Sequence, residues 1–349
     1  MKRLGSAGSR RIRLIDVASR AGVSTALVSS VLRNVGRTTI RVSAPTAQRI
    51  RRIASELDYR PDLVAQQMRG ATSSTIGVLI GAESPQSNFR RLAALEHRAF
   101  AHGRRLMIGH FHQTSDNTAD YLQDFLDRRI DRVLCFGNPS PVPNRAAMAM
   151  LRQFRVCVFQ GTAPEIPNAC AVDVDRHTGQ AMAYAHLVRR KRERIALVLN
   201  DVPGNDPMMK ERFTGYRDAV ESSGRAIERG LIWTGNGTYP PPRELIDAAV
   251  QSLLACHADA VIASNDVWAI EIMKGLRRVG RSVPRDVAVI GADNLEAASL
   301  FDPGVTTIDP SYDEFARVAI DLLLSSGQSE RFRGRRHLIA PKLVIRESA

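Results

Sequence analysis

Two short apolar stripes open the readable pattern of the chain. In LIDVASRAGVSTALVSSVLRN, Leu14, Val17 and Ala18, and then Val28, Val31 and Leu32, recur at helical spacing and predict two amphipathic helices. Gly22 falls between them, where a tight turn needs positive φ. Ala18 is small enough to let the second helix cross closely, and Val23 and Val28 fill the angle. Ser24 is placed to cap the second helix with its hydroxyl. A third helix is predicted after Val42, with Ser43 as N-cap and Pro45 in the first turn, where a missing N–H costs nothing. Its stripe is Ile50, Ile53, Ala54 and Leu57; Arg49, Arg51 and Arg52 lie largely off it, and Tyr59, Arg60 and Pro61 end it. The interval from Ala18 to Gly22 to Val28 is helix-turn-helix spacing.

From Thr75 the period changes to short apolar runs alternating with amphipathic helices. The runs read TIGVLI, RLMIGHF, RVLCFG, VCVFQG, IALVLN, LIW, AVIASN and VAVIGA; FRRLAALEHRAFAHG and RELIDAAVQSLL are among the helices between them. Near-continuous apolar strands with helical connections predict parallel sheets covered on both faces. Their number divides into two similar Rossmann-like lobes rather than one barrel. In such sheets a ligand is expected where the strand C-termini point into the cleft.

Charge sharpens the division. Residues 1–70 hold fourteen Lys and Arg against four Asp and Glu, a net +10 of the whole chain's +13. A basic module on a nearly neutral body has the electrostatic footprint of a phosphate-binding domain. Helical periodicity within it argues against an unstructured basic tail.

These residues carry a specific resemblance. LIDVASRAGVS, VSSVLRN and VSAPTAQRIRRIASELDYRPDLVAQQMRG resemble the headpiece and hinge of the lactose-repressor (LacI/GalR) family of bacterial regulators, and the likeness continues to residue 348. The resemblance implies an all-α helix-turn-helix headpiece plus an α/β two-lobe effector domain of periplasmic-binding-protein-like, Rossmann-like fold. It implies a headpiece at 1–60, a hinge helix or linker at 61–74, and an effector-binding and dimerisation domain at 75–349. The N-lobe would take about 75–174 and 303–336, and the C-lobe about 175–302 and 337–349, with crossings near 174, 302 and 336.

By matching positions the second helix would enter the major groove with Thr25, Ala26 and Ser30 as base-reading residues. Ser24, Ser29, Asn34, Ser43, Thr46 and Tyr59 would position the DNA backbone. Thr25, Ala26 and Ser30 are all small, so they cannot make the bidentate contacts that discriminate bases by about 1–3 kcal/mol each. The stretch 35–41 is also longer than in the lactose repressor, so base readout is open to Arg33, to Arg37 and Arg41, or to the minor groove; equally, the loop arginines would touch only phosphate. Met68 stands where the family wedges a Leu into the minor groove, with Arg69 beside it.

In the effector domain the resemblance places Phe89, Gln160, Arg212, Trp233, Asn265 and Asp293 around the ligand. Arg212 would fork onto hydroxyls or a carboxylate. Asn265 and Asp293 would pair with hydroxyls, and Trp233 and Phe89 would offer apolar walls. A sugar, a sugar acid or a nucleobase fits this lining, a carbohydrate best. For Asp175 and Asp266 a helix-capping role is the better expectation. The implied protein is a sequence-specific regulator, expected to repress, that binds a near-palindromic operator in double-stranded DNA as a homodimer. No heptad segment follows KLVIRES to build a tetramerising tail.

Other classes fit poorly. The Walker, dinucleotide-binding and nucleophile-elbow glycine motifs are missing, and no catalytic constellation or cofactor is expected. His110 and His112 alternate on one strand without a carboxylate or third His at helical spacing, so no metal is expected. Cys135, Cys157, Cys170 and Cys256 are widely spaced and read as small buried hydrophobes in a reducing, cytoplasmic compartment. No membrane association is expected, as no apolar run reaches spanning length. A sugar-transport component would need a secretion signal and no basic headpiece, and an enzyme would need catalytic geometry.

Overall fold

Gly22 sits at φ 64°, in the left-handed region, and stops the first helix there. The computed structural model describes residues 12–32, 42–59, 73–81, 86–111, 117–137, 145–204, 206–325 and 335–349. They fall into two units, Met1–Thr72 and Ser73–Ala349.

In the first unit, α1 (Leu14–Ala21), α2 (Thr25–Leu32) and α3 (Ala44–Glu56) follow the apolar stripes of the sequence. The Val23 N–H donates to the Ala18 carbonyl at 3.1 Å and the Gly22 N–H to Ser19 at 3.3 Å, the paired bonds of a Schellman turn. At the other end of α1, Asp16 reaches back to the Arg13 N–H at 2.7 Å. The axes of α1 and α2 meet at 106°, within the range of a helix-turn-helix. Val17, Ala18, Ala21, Val28, Val31, Ile50, Ile53 and Ala54 close the core, with Val23 and Leu57 packed on it.

The second unit holds two six-stranded sheets. The first contains β1 (Thr75–Gly81), β2 (Arg105–Phe111), β3 (Arg132–Phe136), β4 (Val156–Gln160), β5 (Ala169–Val174) and β11 (Arg336–Ile339), in the order β11-β5-β4-β3-β1-β2, all parallel. The second contains β6 (Ile195–Leu199), β7 (Ile232–Thr234), β8 (Ala260–Ala263), β9 (Ala288–Ala292), β10 (Thr306–Asp309) and β12 (Lys342–Val344). Its order is β12-β10-β9-β8-β6-β7, and only β12 runs antiparallel to its neighbour.

Each sheet is covered on both faces, as strands apolar in both directions require. In the first lobe Ile76, Val78 and Ile80 join α4 (Gln86–Ala101) and α12 (Tyr312–Leu324), while Leu79 and Val133 face α5 (Thr118–Asp127) and α6 (Arg145–Leu151). In the second, Leu197 and Leu199 meet α7 (Arg176–Arg189) and α8 (Pro207–Ser222). Ala196 and Val198 on the other face meet α9 (Arg243–Ala255) and α10 (Asp266–Arg278). The short α11 (Glu296–Leu300) follows β9.

The chain crosses between sheets after β5, after β10 and after β11. The last two crossings lie further along than the residues 302 and 336 expected from sequence. The reason is that β10 completes the second sheet before α12 returns to the first lobe, and β11 is itself a first-sheet strand.

Candidate functional site

The face of the headpiece opposite its core begins at the start of α2. Ser24, Thr25 and Ala26 are exposed and Ser30 is half-exposed. The Ser24 hydroxyl accepts from the Leu27 N–H at 3.2 Å, and Ser30 donates to the Leu27 carbonyl at 2.9 Å. Ser29 differs from its neighbours: it is buried beside Val28, because the helix turns that position into the core. Ser43 caps α3 through the Thr46 N–H and shares a 2.8 Å hydroxyl contact with Thr46, at an exposed corner. Tyr59 packs against the headpiece core. Arg13, Arg20, Arg49, Arg51 and Arg52 are exposed, so the described surface is basic. Arg33, Asn34, Arg37, Arg41, Met68 and Arg69 lie outside the described residues.

A second site forms at the C-terminal ends of the second sheet's strands. Arg212, on α8, is only 8% exposed; its Nε donates to the Ser264 carbonyl at 3.1 Å, and its buried Nη1 has no partner. The Ser264 hydroxyl, directly after β8, is buried without a partner as well. Buried polar groups are nearly always satisfied, so these two leftover groups are open to a water or a bound molecule. Burial brings the Arg212 guanidinium down to about 10, with Arg176 adding to the effect.

Asp293 follows β9 at φ 98°, a conformation that L side chains rarely adopt. Strain of that kind, about 1–3 kcal/mol, persists where surroundings impose it and clusters at functional sites. Here the Asp293 N–H donates to Ile308, and its carbonyl accepts from the Tyr312 hydroxyl at 2.8 Å. Asn294 is pinned by Asp309 and Arg346 at 2.6 Å each, and its carbonyl also accepts from Arg90. Burial raises the Asp293 carboxyl above its usual range, against the pull of Arg212, Arg91, Arg176 and Arg90.

Asp266 is fully buried, and burial pushes its carboxyl up to about 8 despite hydrogen bonds from the Thr307 hydroxyl (2.5 Å) and the Leu295 N–H (2.7 Å). It braces β10 to the loop after β9. Gly291 is required beside it, since a Cβ there would collide with the Asp266 carboxylate. The capping role expected of Asp266 belongs to Asn265, whose side chain accepts from the Trp268 N–H at 3.0 Å. Asp175 caps α7 through Thr178.

Gln160, at the end of β4 in the first lobe, is buried with its Oε1 unpartnered. Trp233 is half-buried and packs on Trp268, ring centroids 5.5 Å apart, so part of its surface is already committed to the core. Phe89 is 48% exposed on α4, whose buried side carries Ser87, Asn88 and Arg91. Of the residues expected around the ligand, Arg212 and Asp293 act on each other electrically.

Sequence reasoning missed a cluster of charges at the lobe crossing. Arg176 donates to Asp173 (2.8 Å) and Glu211 (3.1 Å), and Arg336 binds both carboxylates, at 2.6 Å to Asp173. Burial would raise Asp173, but Arg176 and Arg336 more than offset it and hold the carboxyl at about 2. Asp173 and Arg336 belong to the first sheet and Arg176 and Glu211 to second-lobe helices, so the network ties the lobes together. Arg91 was also missed, although a cation at Arg91 in a stripe continued by Leu95 and Ala99 is visible in the sequence.

Among the described residues no group of three His, Cys, Asp or Glu could hold a metal ion. Burial pushes the Cys135 and Cys170 thiols up to about 12, which leaves them unreactive. No single described helix is long and apolar enough to cross a membrane.

Residues 13–62 match the model of bacterial regulatory proteins of the lacI family, and residues 184–349 match the periplasmic binding protein-like domain. The ribose operon repressor of Escherichia coli K12 is 28% identical over 338 residues, covering 96% of this chain and 98% of its own. The repressor CytR of the same strain is 28% identical over 342 residues, covering 95% of each. A solved lac repressor bound to ONPG superposes with a TM-score of 0.79 at 22% identity, over 97% of this chain and 100% of that one.

Proposed function

Because the chain belongs to the lacI family of bacterial regulatory proteins, we propose that it is a sequence-specific transcriptional repressor whose operator affinity is set by a small polar metabolite. It is not an enzyme; its relatives are DNA-binding repressors. The observation that carries the reading is the conjunction of two features in one chain. One is a helix-turn-helix crossing at 106° with a small, polar, exposed α2 start. The other is a two-lobe body in which Arg212 and Ser264 keep buried polar atoms without partners at the strand ends.

On this reading α2 lies in the major groove with Thr25, Ala26 and Ser30 toward the bases, and Ser24, Ser43, Thr46 and Tyr59 toward phosphates. Ser29, buried, would act only through its backbone. Asn34, Met68 and Arg69 complete the DNA contacts in the sequence-based reading alone. Arg212, Asp293, Gln160 and the free amide edge of Asn265 would take the polar groups of the ligand, with Trp233 and Phe89 as apolar walls. Relatives suggest the ligand class: one is a ribose operon repressor, and solved neighbours hold cellobiose or ribose. A carbohydrate or carbohydrate derivative is the class we assign. The working form is a homodimer on a near-palindromic site, as a lac repressor dimer is on its operator. Its place of action is the cytoplasm, with the chromosome.

Ligand binding shifts the balance between lobe arrangements only by its difference in affinity for them. The Asp173–Arg176–Glu211–Arg336 network is the element any such shift must accommodate. Selection of bound DNA from random sequence, with the full chain and with or without sugars, tests the reading. Enrichment of a near-palindrome whose yield changes with a sugar is expected; enrichment of no sequence above background would contradict it.

A further inference from the structure

Arg91 and Arg212 stand out among the buried cations. Arg91 is 4% exposed and Arg212 8%. Neither has a carboxylate within ion-pair distance among the described residues, whereas the equally buried Arg176 is held by both Asp173 and Glu211. Each also keeps a buried N–H without an acceptor, Nε of Arg91 and Nη1 of Arg212.

Arg91 is rigidly placed. Its guanidinium lies 4.9 Å from the Phe315 ring centroid and 5.7 Å from that of Tyr312, and its Nη1 donates to Asn88. Tyr312 in turn holds the Asp293 backbone from across the lobes. Among the described carboxylates, Asp293 is the one whose field acts on both arginines. It makes no hydrogen bond or ion pair through its side chain among the described residues, and it also serves Arg90 and Arg176. The other nearby acids are engaged: Asp173 and Glu211 by Arg176 and Arg336, Asp206 by the start of α8.

An unpaired buried charge costs several kcal/mol, and a hydroxyl oxygen returns only a dipole. An anion returns charge, and a carboxylate or phosphate also matches the planar fork of arginine. We propose that the effector is an anionic sugar, a polyhydroxylated carbon chain bearing a carboxylate or a phosphate, and that Arg91 is a specificity-determining residue holding its anionic group with Arg212. The proposal rests on reading the cleft as the effector site and narrows the class of ligand that it takes. Hydroxyls of the same molecule meet Asp293 and the Ser264 hydroxyl.

The test is calorimetric titration of the full chain with matched pairs: glucose against gluconate, glucuronate and glucose 6-phosphate, and ribose against ribose 5-phosphate. Inorganic phosphate is added as a minimal anion. Arg91→Gln and Arg91→Lys are titrated alongside, their folding checked by circular dichroism. At least one sugar acid or sugar phosphate is expected to bind, its neutral parent at least tenfold more weakly. Arg91→Gln is expected to lose about 10–100-fold in that affinity, the range for a charge-assisted hydrogen bond. Arg91→Lys keeps the charge but not the fork, and should fall between; the two organic anion types tell carboxylate from phosphate. Binding of neutral sugars without preference for the charged partner overturns the proposal and leaves the sugar-effector reading standing. Binding of no sugar in either arm removes both. Anion binding that Arg91→Gln leaves unchanged places the anion elsewhere, on the basic headpiece, and also overturns the proposal.

Discussion

Along α2, Ser24 and Ser30 spend their short hydroxyls on their own helix, whereas in the two-lobe body Arg91 and Arg212 are buried with N–H groups left over. The first offers little side-chain reach and much exposed positive charge; the second offers fixed, desolvated cations. The difference separates two ways of recognising a partner. An exposed basic face gains affinity from phosphate contacts and loses it steeply with salt. A buried cation whose orientation is already fixed gains selectivity, because the wrong partner leaves it unpaired. Thus the headpiece should bind much DNA weakly and depend on the paired headpieces of a dimer for specificity, while the cleft should be selective by itself.

The strongest way to break this comparison is Arg212→Met. Losing a charge-assisted contact should weaken binding of the responsive sugar by about 10–100-fold in calorimetry. Operator binding without sugar should stay within a factor of two or three (roughly 0.5 kcal/mol) if the two surfaces are independent. Equal loss at both would merge them.

Next is Asp173→Asn. It removes one of the two carboxylates that hold Arg176, and breaking a buried pair from one side costs about 3–5 kcal/mol, at the lower end here because Glu211 remains on Arg176 and Arg336 is partly exposed. Denaturant melts measure this. The sign of the pH dependence follows from an Asp173 carboxyl held at about 2, below its unfolded value. Its contribution is present above the unfolded value, near 4, and is lost as pH falls toward 2. A variant as stable as the parent would make the network passive.

Asp266 gives the opposite slope. Its carboxyl is raised to about 8, so the folded state holds a proton that the unfolded chain has released above about pH 4. Stability should therefore decline from about pH 4 to about pH 8 and then level. Asp266→Asn can donate to Thr307 and accept from Leu295, and should flatten that slope. An unchanged pH–stability curve would show that the slope arises elsewhere.

The smallest effect tests the headpiece. Ser24→Ala removes the cap on α2 and should cost about 1 kcal/mol of headpiece stability. Operator binding should weaken for all sequences alike. A change in preferred sequence instead would give Ser24 a reading role and blur the contrast with the cleft.

The two regions also differ in how legible they were. The headpiece helices follow from contacts a few residues apart, so the stripes around Val17, Val28 and Ile50 were enough to place them. Most apolar strands of both sheets were legible for the same reason, although β5 (ACAVDV) and β12 were not among the runs read. The strands at the crossings were not: β10 and β11 are short and carry Thr306, Thr307, Arg336 and His337. Thr307 and Arg336 are satisfied by distant partners, Asp266 and Asp173, which no local period reveals. The lobe boundaries shifted accordingly. In the second lobe, the resemblance named Arg212, on α8, and Asp293, at a strand end. Arg91 sits on a helix at an apolar-stripe position, where a cation reads as an irregularity until Tyr312, Phe315 and Asp293 are brought beside it.

The central claim is that one chain couples operator binding to occupancy of the cleft. Fluorescence anisotropy of a labelled, selected operator, titrated with the full chain with and without the responsive sugar, tests it most directly. A change in operator affinity of at least fivefold with sugar is expected, corresponding to roughly 1 kcal/mol or more of coupling, with the response of Arg212→Met moved to about 10–100-fold higher sugar concentration. Superimposable curves for the parent chain, at sugar concentrations that calorimetry shows to be saturating, would contradict it.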